Sequence, residues 1–115
     1  MLKVLVKFKG KVLYVVESDK TQITIGRSEE NDIVIDNLAV SKQHARILRY
    51  LDGYSIEDLN STNGTFLNQK KKGWAKLSNK DTVTIGKHEL EVYYSLEPEE
   101  KAPRDTAQDT IKIPG

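Results

Sequence analysis

The sequence lacks cysteine altogether, which excludes disulfide bonds, thiolate metal sites and thiol catalysis in this chain of 115 residues. No apolar run approaches the ~20 residues that a membrane-spanning helix needs, and the first residues lack a signal-peptide pattern. We therefore expect a cytoplasmic protein. An excess of one charge is also missing, because 18 basic and 17 acidic residues leave a net charge of +1. This balance argues against nucleic-acid binding through bulk charge alone.

Groups that carry out catalysis are scarce as well. The chain has 2 histidines, and Ser41 and His44 lie three residues apart on one segment, a spacing that rarely yields a nucleophile and its base. The acidic residues are scattered rather than paired, and none clusters with histidine at the spacing of a metal site. We predict that the protein is not an enzyme and needs neither a metal nor a cofactor.

Proline is missing from most of the chain. All 3 prolines lie within residues 97–115, a segment without aromatic residues and with few apolar ones. Such a segment buries too little apolar surface to offset its loss of conformational entropy, so we predict a disordered tail. Residues 1–96 then form the folded body. A chain of this length buries about two-thirds of its unfolded surface, which is enough for one domain with one core.

Short β-type runs fill residues 1–96. The first, LKVLVKF, places apolar residues at alternate positions, and further short runs rich in Val, Ile, Thr and Tyr follow between Gly, Asn, Asp or Ser. No long window keeps the apolar period of a helix. About nine to eleven such runs predict an all-β fold, an antiparallel sandwich or a barrel, with little or no helix.

Most of the turn-forming residues fall in three segments, residues 26–32, 36–44 and 60–65. If these loops meet at one end of an antiparallel sandwich, they combine an arginine with hydroxyl and amide groups. Arg27 is suited to a bidentate contact with phosphate, Ser41 can donate a hydroxyl hydrogen bond, and Lys42 adds a point charge. Asn63 carries an amide that can hold a peptide backbone. The set fits a phosphorylated side chain in a peptide.

Three motifs occur in a specific order. Gly26-Arg27 is followed by S-x-x-H-A, which begins fourteen residues after the arginine, and then by S-T-N-G-T at residues 61–65. The pattern L-x-x-x-D-x-V-x-I-G follows at residues 77–86. Together they resemble the forkhead-associated (FHA) domain over about residues 2–95. The resemblance implies an eleven-stranded, FHA/SMAD-like β-sandwich whose loops at one end bind phosphothreonine peptides. It also implies an adaptor or regulator of Ser/Thr-kinase signalling, with a phosphothreonine-containing protein as its partner.

Transferred to this sequence, the resemblance implies ligand contacts and supporting residues. The phosphothreonine-binding contacts are Arg27, Ser41, Lys42, Thr62 and Asn63. The supporting residues are Gly26, His44, Gly64 and Thr65. Gly26 is expected to free the backbone at a strand end, and His44 to hold the loops without touching the ligand. Lys42 departs from the arginine or asparagine that is frequent there, and it keeps the positive charge but loses the fork of arginine.

A second interpretation remains open for the segment Gln69–Lys76. Its lysines surround Trp74, and this combination would suit a nucleic-acid-binding β-barrel in which the Lys70–Lys76 loop contacts phosphates and the indole stacks on a base. The plainer interpretation is a solvated hairpin loop whose tryptophan packs against the sandwich. Salt-dependent affinity for oligonucleotides would favour the first of these.

The predicted tail contains two threonines, Thr106 and Thr110. Once phosphorylated, either would be the kind of ligand that the body is expected to bind. We therefore hypothesise that the protein recognises its own phosphorylated tail, within one chain or between two chains, because a tether raises the effective concentration of the ligand.

Overall fold

The structure is a computed structural model and describes residues 1–95. Within this range the chain forms eleven strands and no helix. The strands are β1 (Leu2–Phe8), β2 (Lys11–Ser18), β3 (Gln22–Gly26), β4 (Ile33–Val34), β5 (Ala45–Tyr50), β6 (Gly53–Asp58), β7 (Thr65–Leu67), β8 (Lys70–Lys71), β9 (Trp74–Leu77), β10 (Thr82–Ile85) and β11 (His88–Tyr94). None of the described residues therefore belongs to a helix that could cross a membrane. The tail predicted at residues 97–115 lies outside the described residues.

The strands form two sheets, which confirms the predicted all-β sandwich. One sheet has six strands in the order β2-β1-β11-β10-β7-β8, and the other has five in the order β4-β3-β5-β6-β9. Neighbouring strands whose register is resolved run antiparallel, except that β4 runs parallel to β3. The run DIVI therefore contributes only the two residues of β4 to the sheet.

The alternation that predicted strands also defines the core. In β1 the side chains of Leu2, Val4 and Val6 are fully buried, whereas the residues between them face outward. Val4 pairs with Val92 of β11, where the same alternation repeats. Each such side chain contributes about 1.5–3 kcal/mol when it is removed from water. The core thus holds the two sheets together, and the loops extend from the ends of their strands.

The sandwich has two distinct ends. The turn between β10 and β11 lies at the end that carries the three turn-rich segments, because a Cβ added at Gly86 would lie 3.2 Å from a methyl group of Val40. We call this the loop end. At the opposite end, the hydroxyl of Tyr94 donates to the carbonyl of Leu77 at 2.7 Å. Since β11 runs away from the loop end, the chain leaves the described residues at the opposite end.

Candidate functional site

The three turn-rich segments meet at the loop end and are joined by hydrogen bonds. The backbone N–H of Arg27 donates to the carbonyl of Ser41 at 3.0 Å. The N–H of Thr62 donates to Oγ of Ser41 at 3.0 Å, and Nδ2 of Asn63 donates to the carbonyl of Ala39 at 2.8 Å. The structure therefore brings the predicted contact residues of all three loops to one end of the sandwich.

Gly26 is required by space rather than by backbone freedom. Its φ lies outside the left-handed region, unlike that of Gly64 at +90°. A Cβ at position 26 would lie 2.2 Å from the carbonyl oxygen of Lys42 and 2.8 Å from Nδ2 of Asn31. The expectation that Gly26 frees the backbone is thus replaced by another physical reason: the first two loops pack against each other where a side chain would stand.

Asn31 joins the same two loops and was missed by sequence reasoning. It is buried, and its Nδ2 donates to the carbonyl of Lys42 at 2.8 Å and to that of Ser28 at 2.9 Å. Its position in a turn among charged residues gave no sign of burial. The Asn31 amide therefore fixes the backbone of the first loop, from which the side chain of Arg27 extends.

The guanidinium of Arg27 is oriented but not neutralised. Its Nε donates to the carbonyl of Val40 at 3.1 Å, and the side chain is half-buried. Within residues 1–95 neither Arg27 nor the exposed Lys42 forms an ion pair. Two cations without a counter-ion at the loop end favour an anion there, and the fork of a guanidinium suits two oxygens of one anion.

The hydroxyl of Ser41 is prepared to donate a hydrogen bond. Its oxygen already accepts the N–H of Thr62, so the hydroxyl hydrogen is available for a ligand. The N–H of Ser41 donates to Nδ1 of His44 at 3.0 Å. With the bond from the N–H of Arg27 to its carbonyl, Ser41 is held through three hydrogen bonds and connects all three loops.

His44 fixes the loops from below. It is fully buried, and because Nδ1 accepts from Ser41, its Nε2 carries the proton and donates to the carbonyl of Gly64 at 2.9 Å. Its own N–H donates to the carbonyl of Ile25, and its carbonyl accepts from Leu59. The imidazole is thus removed from solvent, and its two ring nitrogens join Ser41 of the second loop to Gly64 of the third.

A second network holds the third loop, and its centre is Asp58, which sequence reasoning also missed. The carboxylate accepts from Oγ of Ser61 at 2.5 Å, from N of Ser61 at 3.0 Å and from Oγ1 of Thr65 at 2.7 Å. Burial alone would raise the pKa of Asp58, but the hydrogen bonds from Ser61 and Thr65 outweigh it and hold the pKa below its ordinary value. An aspartate three residues before a serine in a turn is the available sequence signal.

Two further side chains border the site without having been predicted as contacts. Leu38 is 90% exposed at the tip of the second loop. Lys71 lies across Gly64, since a Cβ at Gly64 would be 2.8 Å from Cε of Lys71. An apolar side chain and a third cation are thus available to a ligand longer than a single phosphorylated residue.

The lysines of the segment Gln69–Lys76 do not form one groove around Trp74. Lys70 and Lys71 form β8 at the edge of the six-stranded sheet, whereas Trp74 and Lys76 lie on β9 at the edge of the five-stranded sheet. The indole meets Tyr50 edge to face at 5.1 Å between ring centroids and is half-exposed. The segment therefore divides between two sheets, and the nucleic-acid interpretation gains no support from it.

Comparison with known families decides the identity of the domain. The FHA domain family model matches residues 23–86, which is more than half of the chain. The chain belongs to the FHA family. The matched range contains all nine residues that the resemblance assigned to the site and also includes Asn31, Leu38, Asp58 and Lys71.

Individual relatives agree with this assignment. The chain is 39% identical over 72 residues to an oxoglutarate dehydrogenase inhibitor of Corynebacterium jeikeium, a match that covers 63% of this chain and 50% of that protein. It is 35% identical over 72 residues to the glycogen accumulation regulator GarA of Mycobacterium tuberculosis, covering 63% of this chain and 44% of the relative. The match thus spans about half the length of these curated relatives.

The fold also matches solved FHA structures. The structure of Mycobacterium tuberculosis EmbR in complex with a low-affinity phosphopeptide aligns with a TM-score of 0.71 and 27% sequence identity, covering 79% of this chain and 24% of that one. This neighbour was solved in complex with a phosphopeptide.

Proposed function

We propose that this FHA domain binds phosphothreonine peptides at its loop end and acts as an adaptor or regulator in Ser/Thr-kinase signalling. The observation that carries the proposal is the meeting of Arg27, with an oriented guanidinium, and Ser41, with an available hydroxyl hydrogen, at the loop end, next to the exposed Lys42. A phosphorylated side chain brings about −1.5 to −2 charges and three acceptor oxygens, which these groups can match. The binding unit in this proposal is residues 1–96.

In this arrangement Arg27 and Ser41 hold the phosphate, with Lys42 and Thr62 beside it. Asn63 is placed to hold the peptide main chain: one N–H of its amide is used by the carbonyl of Ala39, and Oδ1 and the second N–H remain for a ligand backbone. Gly26, His44, Gly64 and Thr65 support the loops. This role requires binding and no chemical step, in keeping with relatives that are described as an inhibitor and a regulator.

The second part of the proposal concerns the phosphorylated tail of this protein as a source of ligand. Thr106 and Thr110 lie outside the described residues. The described residues finish with Ser95, at the end of the sandwich opposite to the loop end. The seven residues of β11 separate the two ends by about 24 Å. The eleven residues that follow Ser95 and end with Thr106 span at most about 40 Å when fully extended. Because this reach exceeds the separation of the two ends, the tail is long enough for binding within one chain as well as between two chains.

The deciding experiment compares binding of three peptide pools by fluorescence polarisation: phosphothreonine, phosphoserine and unphosphorylated. We expect binding of the phosphothreonine pool, with phosphoserine weaker by about tenfold because a methyl contact is lost. Arg27→Ala should weaken binding about 100-fold or more, since two charge-assisted hydrogen bonds disappear. Arg49→Ala is the matched control, because Arg49 lies over Tyr54, away from the loop end. Equal binding of all pools by a folded protein would refute the proposal.

The tail hypothesis needs its own measurement. Incubation of the full chain with a Ser/Thr kinase, followed by mapping of phosphorylated residues, should show modification at Thr106 or Thr110. The modified protein should then bind the peptide pool with weaker apparent affinity. The loss should grow with protein concentration if chains occupy one another, and should be independent of it if each tail occupies the site of its own chain. Absence of phosphate at both threonines would contradict the hypothesis and leave the peptide-binding proposal untouched.

A further inference from the structure

One edge of the six-stranded sheet is exposed and apolar. β2 is the edge strand and pairs with β1 alone among the described strands. The outer side of its backbone therefore presents N–H and C=O groups without a partner strand. Four consecutive side chains of β2 are exposed by 37–52%, namely Val12, Leu13, Tyr14 and Val15. Natural sheets avoid such edges because they pair with any available strand, so this edge calls for a specific occupant.

The opposite edge of the same sheet is protected. There β8 consists of Lys70 and Lys71, both exposed, and such charged residues discourage another strand from pairing. β2 carries a bulge, since Val6 pairs with Tyr14 and Lys7 with Val12, which leaves Leu13 as the extra residue. A bulge adds twist, but it places no charge in the middle of the strand. The β8 edge therefore carries charges that disfavour pairing with another strand, whereas the apolar stretch of the β2 edge does not.

The charges that flank the apolar stretch indicate the occupant. Lys9 and Lys11 precede it, and Glu17 and Asp19 follow it. If two copies of β2 pair antiparallel about Tyr14, Lys11 of each faces Glu17 of the other and the apolar residues between them face one another. A parallel pairing in register would instead oppose like charges. β2 is therefore complementary to itself in the antiparallel direction.

We propose that β2 is a homodimerisation edge, through which two copies of this chain join their six-stranded sheets across a two-fold axis near Tyr14. Such an isologous contact closes on itself and covers the apolar edge of both copies. The strand is already fixed, because the hydroxyl of Tyr14 donates to the carbonyl of Val34 in β4 at 2.6 Å. Pairing therefore requires little ordering of β2 itself.

The dimer leaves both loop ends open. β2 follows a turn at Lys9 and Gly10, and this turn lies at the loop end because Phe8 pairs with His88 beside the β10–β11 turn. In an antiparallel dimer the two loop ends point in opposite directions. The inference does not depend on the proposed function, since self-association requires no phosphopeptide.

Sedimentation equilibrium of the full chain, without peptide, tests the proposal from micromolar to near-millimolar concentration. We expect the mass to rise from 13.0 kDa towards that of a dimer as concentration increases. Glu17→Lys alone and Lys11→Glu alone should each weaken association by about tenfold or more, because each places like charges opposite one another twice in the dimer. The double variant restores opposite charges and should recover the wild-type affinity.

Both substituted side chains are exposed, so folding should be preserved. Lys70→Glu on the opposite edge is the matched control and should leave association unchanged. A protein that stays monomeric throughout, or a dimer that neither single reversal weakens, would overturn the proposal. Hydrogen exchange adds an independent measurement, in which amides of β2 should gain protection as protein concentration rises. Protection that is independent of concentration would mean that the occupant comes from the same chain, and this result would also overturn the proposal.

Discussion

The loop end and the β2 edge of this FHA domain are organised by opposite means. At the loop end, irregular backbone is held by individual hydrogen bonds to buried or half-buried polar groups, chiefly His44, Asn31 and Asp58. At the β2 edge, regular backbone follows from a residue pattern, and a single side-chain bond, that of Tyr14, ties the strand to the other sheet. The loop end should therefore lose stability when a single hydrogen-bonding residue is replaced. The β2 edge, which depends on a pattern of strand residues, should tolerate a single substitution.

The largest effect should come from Gly26→Ala. The added Cβ would overlap the backbone carbonyl of Lys42, and backbone cannot move aside as a side-chain tip can. We expect the free energy of unfolding to fall by about 3 kcal/mol, measured by urea denaturation. Gly73→Ala is the matched control, because nothing lies within 4 Å of a Cβ there. Similar midpoints for the two variants would show that the loops do not meet as closely as described.

His44→Ala should follow closely. The substitution leaves a cavity and removes the partners of the Ser41 N–H and the Gly64 carbonyl, so we expect a loss of about 2–3 kcal/mol. Val12→Ala on the β2 edge removes an apolar side chain that is already 50% exposed, and it should cost less than about 1 kcal/mol. If urea denaturation showed equal losses of unfolding free energy for His44→Ala and Val12→Ala, the contrast between the loop end and the β2 edge would be wrong.

Asp58 should make stability depend on acid pH. Because its pKa is lowered on folding, its contribution is complete above the unfolded value near 3.8 and is lost as the pH falls through the folded value. Asp58→Asn should lower the free energy of unfolding at pH 7 by about 1–3 kcal/mol. The difference from wild type should shrink below the unfolded value. Denaturation curves at neutral and strongly acid pH check this, and a constant difference would contradict it.

Tyr14→Phe should have the smallest effect. It removes one hydrogen bond at a side chain that is 37% exposed, where water can replace the lost partner, so we expect a loss of about 1 kcal/mol or less. A thermal melt should show a decrease of a few degrees. Tyr50→Phe on the outer face of the other sheet is the control. A loss as large as that of His44→Ala would mean that one contact, rather than the strand pattern, holds this edge.

The sequence was most informative where structure depends on local pattern. The alternation in LKVLVKF predicted both the strand and its buried face, since a strand directs successive side chains to opposite sides. Asn63 and Gly64 predicted a turn, and Gly64 has the positive φ that favours glycine. Three motifs sufficed to indicate the family because they occur in the right order and at matching spacing, whereas one motif alone would be a weak signal.

Sequence reasoning failed where a residue's role depends on what lies across the fold. Nothing near Asn31 indicates that its amide meets the carbonyl of Lys42. The reason for glycine at position 26 likewise lies in another loop. The segment Gln69–Lys76 looks continuous in sequence, yet its two halves belong to the edges of different sheets. Long-range contacts of this kind leave no local signal.

By itself, the sequence determined the all-β character of this protein, the alternation that forms its core and the membership of its motifs in the FHA family, because these depend on the order of side chains along the chain. Tertiary structure decided which loops meet, which polar groups are buried and which strand became an unprotected edge. These features depend on the pairing of strands distant in sequence, and a pairing such as β1 with β11 is fixed only when the whole core closes.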